Sequence, residues 1–385
     1  MTATDAAAGP AMPGAGNAKL IYDGRVGELF VLWLKVLLLG IVTLGIYSRF
    51  WGKTRFRRYF WNHTSLLGER FEYDGTGGEL FRRFLLAIFV LPVLVAIAFG
   101  MGFLLKGLGL PAQLAEAIGA VLYLAVFFFL FFVSQYGSRR YQLSRTVWSG
   151  IRGGVEGSAL GYASRAIGYA LLIPITLGVG TPWRDVALWR YKTSHTGFGD
   201  LDFRFDGTGR KLLGPFLVAY AASILGILFA ALVGAAVFVL LHGGIPINAA
   251  EAAKIATDVP AIVGGALVFY ATYLTITIVG YLHYVVRSFA YFAENTSLGR
   301  VRFAFPLRKR ELFWFQVANF LLLIFTGGLA LVFVAQRYVR FFCNHLEIEG
   351  AQELKALTQS PGRRRPRGGE GLAQLFESLD VGGFI

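Results

Sequence analysis

Four stretches of the chain, Phe84 to Leu105, Ala117 to Val133, Phe216 to Leu241 and Ala261 to Val286, run almost without charge for long enough to cross a hydrocarbon layer. A helix needs about 20 apolar residues for that crossing, and in lipid only a structure that satisfies its own backbone groups persists. The four stretches therefore predict an all-α polytopic membrane protein. They pair into two hairpins. Of the 37 basic residues, only Lys106 and Lys254 fall in the connecting loops, Lys106 to Glu116 and His242 to Pro260. The positive-inside bias sets those loops outside and both chain ends in the cytoplasm. With 55% hydrophobic and 16% charged residues, an ordinary soluble enzyme is excluded. The single cysteine, Cys343, rules out an internal disulfide or a cysteine metal cluster.

Three shorter apolar segments do not fit a single crossing: Leu29 to Ile46, Ala166 to Gly180 and Leu312 to Ala335. Basic clusters follow all three and also precede the last two, so a simple span would carry one cluster to the wrong side. Each holds glycine inside or near its end, and Thr43-Leu44-Gly45 recurs as Thr176-Leu177-Gly178. Re-entrant or bent in-plane hairpins are expected for all three.

Internal repetition organises the rest. An arginine or alanine, an aromatic residue and, after a gap, a polar pair recur at Arg58-Tyr59, Arg140-Tyr141, Arg190-Tyr191, Ala290-Tyr291 and Arg340-Phe341. Short alternating runs such as Leu67 to Tyr73 and Leu201 to Phe205 follow most copies and suit small cytoplasmic strands. Asp23-Gly24, Asp74-Gly75-Thr76-Gly77 and Asp206-Gly207-Thr208-Gly209 then give a turn and a helix N-cap. The predicted organisation is a disordered leader at 1–19, a half unit at 20–73 and full units at 74–205 and 206–350. A basic disordered tail follows at 351–385, with Arg363, Arg364, Arg365 and Arg367. In the last unit Pro306 and Arg308 to Arg310 stand where an Asp-Gly turn is expected.

Tyr73-Asp74-Gly75-Thr76-Gly77, Thr43-Leu44-Gly45-Ile46-Tyr47, Phe50-Trp51-Gly52-Lys53 and the Arg58-Tyr59 helix together resemble the YjgN-like family of bacterial inner-membrane proteins. The resemblance runs from residue 20 to about residue 350. It implies a multi-pass location in the inner membrane, and it brings no catalytic residues, since the family's activity is not established.

Nucleophile elbows, phosphate-binding glycine loops and His-Glu-x-x-His motifs are missing, and no cofactor is expected. The basic aromatic helices place Arg49, Lys53, Arg55, Arg57, Arg58, Arg139, Arg140, Arg190, Arg337 and Arg340 beside apolar segments. Such helices suit the head-group level of an anionic leaflet better than nucleic acid. His63, His195 and His345 share one place in three repeats, which suggests either a three-histidine metal site or, more simply, helix capping. Ala222, Gly226, Ala230 and Gly234 form a small-residue stripe. Tyr270, Tyr273, Thr277, Tyr281 and Tyr284 set five hydroxyls on one helix face, as the wall of a polar path or as interhelical bonds, and Lys35 lies inside an odd segment. The function these features predict is binding or moving a small molecule or lipid between repeat units. A structural or assembly role organising anionic lipid or partner proteins is the second reading, and lipid-modifying catalysis the third.

Overall fold

The computed structural model describes residues 17–244, 258–306 and 308–359. The leader up to residue 16, Lys254 in the second outer loop, Leu307 and the arginines of the tail lie outside the described residues.

Helices dominate, and they come in pairs. The first pair is α1 (Val26–Val42) and α2 (Lys53–Asn62), joined through a π-helical turn at Ser48–Gly52. The second is α3 (Gly77–Gly107) and α4 (Ala112–Ser144), and the third α5 (Ala159–Ile175) and α6 (Thr181–Ser194). The fourth is α7 (Gly209–His242) and α8 (Val259–Glu294), and the fifth α9 (Lys309–Phe325) and α10 (Leu331–His345). Among the described residues three helices, α4, α7 and α8, are long and apolar enough to cross a membrane. The remaining expected span lies in α3, a helix of 31 residues. The units expected at 20–73, 74–205 and 206–350 thus hold one, two and two helix pairs.

Short strands separate the pairs, and together they correct the all-α expectation. They are β1 (Ala18–Lys19), β2 (Ile21–Tyr22), β3 (Thr64–Leu66), β4 (Glu69–Tyr73), β5 (Thr146–Trp148), β6 (Ile151–Val155), β7 (Thr196–Phe198), β8 (Leu201–Phe205), β9 (Thr296–Leu298), β10 (Val301–Ala304) and β11 (Glu347–Glu349). They form one eleven-stranded antiparallel sheet in the order β1-β11-β10-β9-β8-β7-β6-β5-β4-β3-β2. Its two edges are consecutive in sequence with only Leu20 between them. Ala18 and Lys19 pair with Ile348 and Glu347, while Ile21 and Tyr22 pair with Ser65 and Thr64. The sheet therefore bends back on itself, and closure leaves no free edge to recruit another chain.

Side chains fill the interior of this barrel. Leu66, Trp148, Leu298, Val301, Leu346 and Ile348 make one buried cluster, with Phe71, Phe198 and Phe203 against it. At the end carrying the hairpin turns, a 3₁₀ turn at Ala351–Ala356 adds Ala351, Leu354 and Leu357 to the same cluster. Thr358 N–H donates to Asp200 (3.2 Å) and Arg152 N–H to Gln359 (2.7 Å), tying the segment across the turns as a plug.

The three short pairs turn alike. Thr43, Thr176 and Thr326 each donate from Oγ1 to the last turn of the first helix and accept an N–H from the residue four positions on. The backbone then reverses through the left-handed region at Leu44 and Gly45, Leu177 and Gly178, and Gly327 and Gly328. Gly178 meets that geometry without strain; Leu177, at φ 49°, carries a branched side chain through it. The first helix of each short pair is 17 residues, about 26 Å, just under the ~30 Å hydrocarbon core.

In the long fourth pair the small-residue stripe faces α8, with Gly226, Ala230 and Gly234 buried. A Cβ at Gly234 would meet the carbonyl of Gly265 at 2.9 Å, so only glycine permits this approach.

Candidate functional site: an apolar cavity at the helix end of the barrel

The repeated Arg-Tyr pair sets the helices around the barrel mouth. Arg58 donates to the carbonyl of Gly75 (3.1 Å), and Arg140 and Arg190 donate to those of Gly157 and Gly207, in each case 17 residues further on. Arg340 makes the same bond to Gly24 (3.0 Å), from the last helix to the first turn, and so closes the ring. Each guanidinium bolts its own pair to the start of the next. The tyrosine works within its pair: Tyr59 donates to the carbonyl of Arg25 (2.8 Å), Tyr191 to Ser158 (2.8 Å) and Tyr291 to Thr208 (3.3 Å). These are the N-cap positions of the first helices.

The Asp-Gly turns serve the same junctions. A Cβ at Gly75 would meet the Tyr73 ring at 2.6 Å, so glycine is needed there for room under the ring, at a backbone angle open to any residue. The acids are paired: Asp74 accepts from Arg152 (2.6 Å), Asp206 from Arg204 (3.0 Å), and Asp23 from Arg70.

Arg58, Arg140, Arg190 and Arg340, expected at head groups, thus have a role that needs no lipid. Arg57 is buried at 5% exposure, and Arg139 donates to Thr196 (3.5 Å). Arg49, Arg55 and Arg337 are exposed, and Lys53 is half-buried. His63, His195 and His345 each set Nδ1 against the carbonyl four residues back, at 2.7–2.8 Å, as helix caps do. Nε2 of His63 and of His345 faces Glu28 and Glu311, 3.4 Å away in each case, so each ring is engaged within its own pair. Among the described residues no three His, Cys, Asp or Glu side chains group to hold a metal.

The expected hydroxyl wall divides. Tyr284 is buried and donates to Asp185 of α6 (2.8 Å), Tyr273 stacks on Phe269, and Thr277 Oγ1 is buried without a partner among the described residues. Tyr270 and Tyr281 are about 60% exposed. Lys35 is exposed.

What the ring encloses is a cavity of about 450 Å³ at the helix end of the barrel. Phe60 and Trp61 of α2, Phe289 of α8, and Tyr338, Val339, Phe342 and Cys343 of α10 form its upper wall; Leu20, Thr64, Phe71 and Thr146 of the barrel rim complete it. Phe342 and Phe289 continue as an aromatic ladder to Phe305 (5.5 and 5.2 Å). Its few polar groups are engaged: Trp61 donates to Thr146 (3.1 Å), Thr64 donates to the carbonyl of Phe60 (2.8 Å), and Tyr338 donates to Gln316. Cys343 is 2% exposed, and burial pushes its thiol up to about 11. Sequence reading missed this site because its walls come from positions scattered between 20 and 343 with no shared spacing. The one available signal was the aromatic content of the segments after each Arg-Tyr pair.

The family model described as "Bacterial protein of unknown function (DUF898)" matches residues 17–375, nearly the whole chain. The chain belongs to this family. Among curated proteins, this DUF898 member is similar to the inner membrane protein YjgN of Salmonella typhimurium, 36% identical over 96 residues, 24% of each chain. It is also similar to the inner membrane protein YjgN of Escherichia coli O157:H7, 28% identical over 162 residues, 42% of this chain and 36% of that one. The matched stretches span well under two thirds of either relative. No solved structure matches the DUF898 member. Family, relatives and apolar helices together make it an integral protein of the bacterial inner membrane.

Proposed function

We propose that the protein holds an apolar molecule or a lipid acyl chain in the cavity between its repeated helix pairs, at the cytoplasmic boundary of the membrane. The observation that carries this reading is the cavity itself: about 450 Å³, within the size range of small-molecule sites, and walled almost wholly by aromatic and aliphatic carbon. The packed barrel beneath it favours holding over passage, because Trp148, Leu298 and the Leu354 plug occupy the lumen. Its described lining has neither an acid nor a histidine. Membrane lipids are the partners this reading names, with the exposed Arg49, Arg55 and Arg337 proposed to meet their head groups. The experiment is extraction and mass spectrometry of the purified, extensively delipidated protein. A retained apolar molecule near one per chain is expected, and Val339→Trp, which thrusts an indole into the cavity, should lose it with no fall in melting temperature. Equal retention by wild type and variant would remove the cavity as the site.

We further propose that the barrel and both chain ends face the cytoplasm and that the three short pairs dip into the bilayer and return. The exposed residues at their tips support this: Leu44, Ile175, Leu177 and Phe325 are 76–93% exposed and apolar. A cysteine at Ser194, at the barrel end of α6, should therefore label with an impermeant maleimide only from the cytoplasmic side. The buried Cys343 should give little background. Labelling of intact cells from outside would mean that the third pair crosses.

A further inference from the structure

Four of the five seams between neighbouring helix pairs are built alike, and the fifth is not. Each of the four has an arginine bonded to a turn carbonyl and a hydrophobic cluster of its own: Phe50, Leu80 and Tyr141 between the first and second pairs, Tyr136, Tyr162 and Tyr191 between the second and third. Val186, Leu212 and Tyr284 join the third to the fourth, and Leu29, Phe56 and Val332 the fifth to the first. Between the fourth and fifth pairs the arginine is Ala290 and the Asp position of the turn is Pro306. A cavity of about 480 Å³ lies at this seam, where the other four hold a guanidinium.

Three cations line that cavity from three helices: Lys211 from the first turn of α7, Arg287 from α8 and Arg308 from the N-cap of α9. Glu294 shares the wall, so among the described lining residues the surplus is two positive charges, three less one. Among the described residues none of the three cations forms an ion pair, and Arg287 Nε is buried with no hydrogen-bond partner. Arg287 is half-buried, and a guanidinium N–H shielded from water without an acceptor is costly, so an anion would relieve it. Leu212, Pro215 and Leu312 form the apolar part of the wall.

We propose that this seam is a binding site for a phosphate-bearing anion, held between Lys211, Arg287 and Arg308 with its apolar remainder against Leu212 and Leu312. A lipid head group reaches it from the membrane and a soluble phosphate compound from the cytoplasm, and the chemistry recognised is the same. The symmetry-breaking Ala290 is what creates the room: where the other seams supply their own cation and close, this one leaves its cations facing space.

The test uses the full chain in nanodiscs of phosphatidylcholine with a minor share of phosphatidylglycerol, read by native mass spectrometry. The wild type should retain phosphatidylglycerol in excess of its share. Lys211→Gln with Arg308→Gln, two exposed positions, should lower that retention by at least about tenfold, each cation near an anionic surface counting about 1 kcal/mol. Ala290→Arg, which refills the seam, should lower it as well without reducing the melting temperature. If inorganic phosphate instead binds the wild type and not the variants, with no lipid enriched, the site stands and its ligand is soluble. Equal retention of lipid and equal phosphate binding by wild type and both variants overturns the proposal.

Discussion

Replacing Gln336 by leucine and Arg340 by glutamine together is expected to cost about 3 kcal/mol or more of stability in detergent, and to open the barrel where its two edges meet. Both side chains donate to one acceptor, the carbonyl of Gly24, at 3.2 and 3.0 Å, and Gln336 is only 3% exposed. Hydrogen bonds involving a charged group contribute about 1.5–3 kcal/mol, and a buried carbonyl left without a donor adds a desolvation penalty of about 1–3 kcal/mol. Arg340→Gln alone should cost less, because Gln336 still satisfies the carbonyl. Arg340 also lies 5.9 Å over the Tyr22 ring, so its loss frees that strand end as well. Hydrogen exchange should rise at residues 18–24 before any other part of the sheet. Arg49→Gln, at an exposed position, is the control and should stay within about 0.5 kcal/mol. Should Arg340→Gln and the double variant melt like Arg49→Gln, and differ from wild type only in anionic lipid, the arginines would belong to the head groups after all.

How far the sequence discloses this architecture depends on the range of the contact concerned. Hydropathy is local, so the spans and the odd segments were readable: each odd segment became a helix and a threonine-capped turn that leads into a second helix. The repeat was readable too, although what its residues do was not. Arg58 looks amphipathic beside Trp61, and only the folded chain shows that its partner is the carbonyl of Gly75. The runs at Leu67 to Tyr73 and Leu201 to Phe205 announced strands, whereas Thr146–Trp148 and Thr296–Leu298, at three residues each, are below what alternation can reveal. Closure of the sheet needs Ala18 beside Ile348, a pairing no local pattern encodes. The hydroxyl stripe shows the opposite limit: helical periodicity put five groups on one face of α8, while packing elsewhere set what that face meets, so that Tyr284 donates to Asp185 and Tyr281 is 61% exposed.

The second large effect concerns the cavity, and it gives the most direct test that a lipid tail or other apolar molecule is held there. A phospholipid with a diazirine at the end of one acyl chain, reconstituted with the full protein and photolysed, reports what that chain end touches. Outer surfaces of α4, α7 and α8 will label from bulk lipid in any case, since Leu122, Phe127, Leu228 and Leu267 are exposed. The decisive peptides are those carrying Phe60 and Trp61, and Val339, Phe342 and Cys343, which face the cavity. Cys343 is 2% exposed and has no outer surface to offer. Labelling on both peptides in the wild type, abolished by Val339→Trp while the outer helices label as before, is the predicted result. Label confined to the outer helices, with the α2 and α10 cavity peptides unmodified, would contradict it.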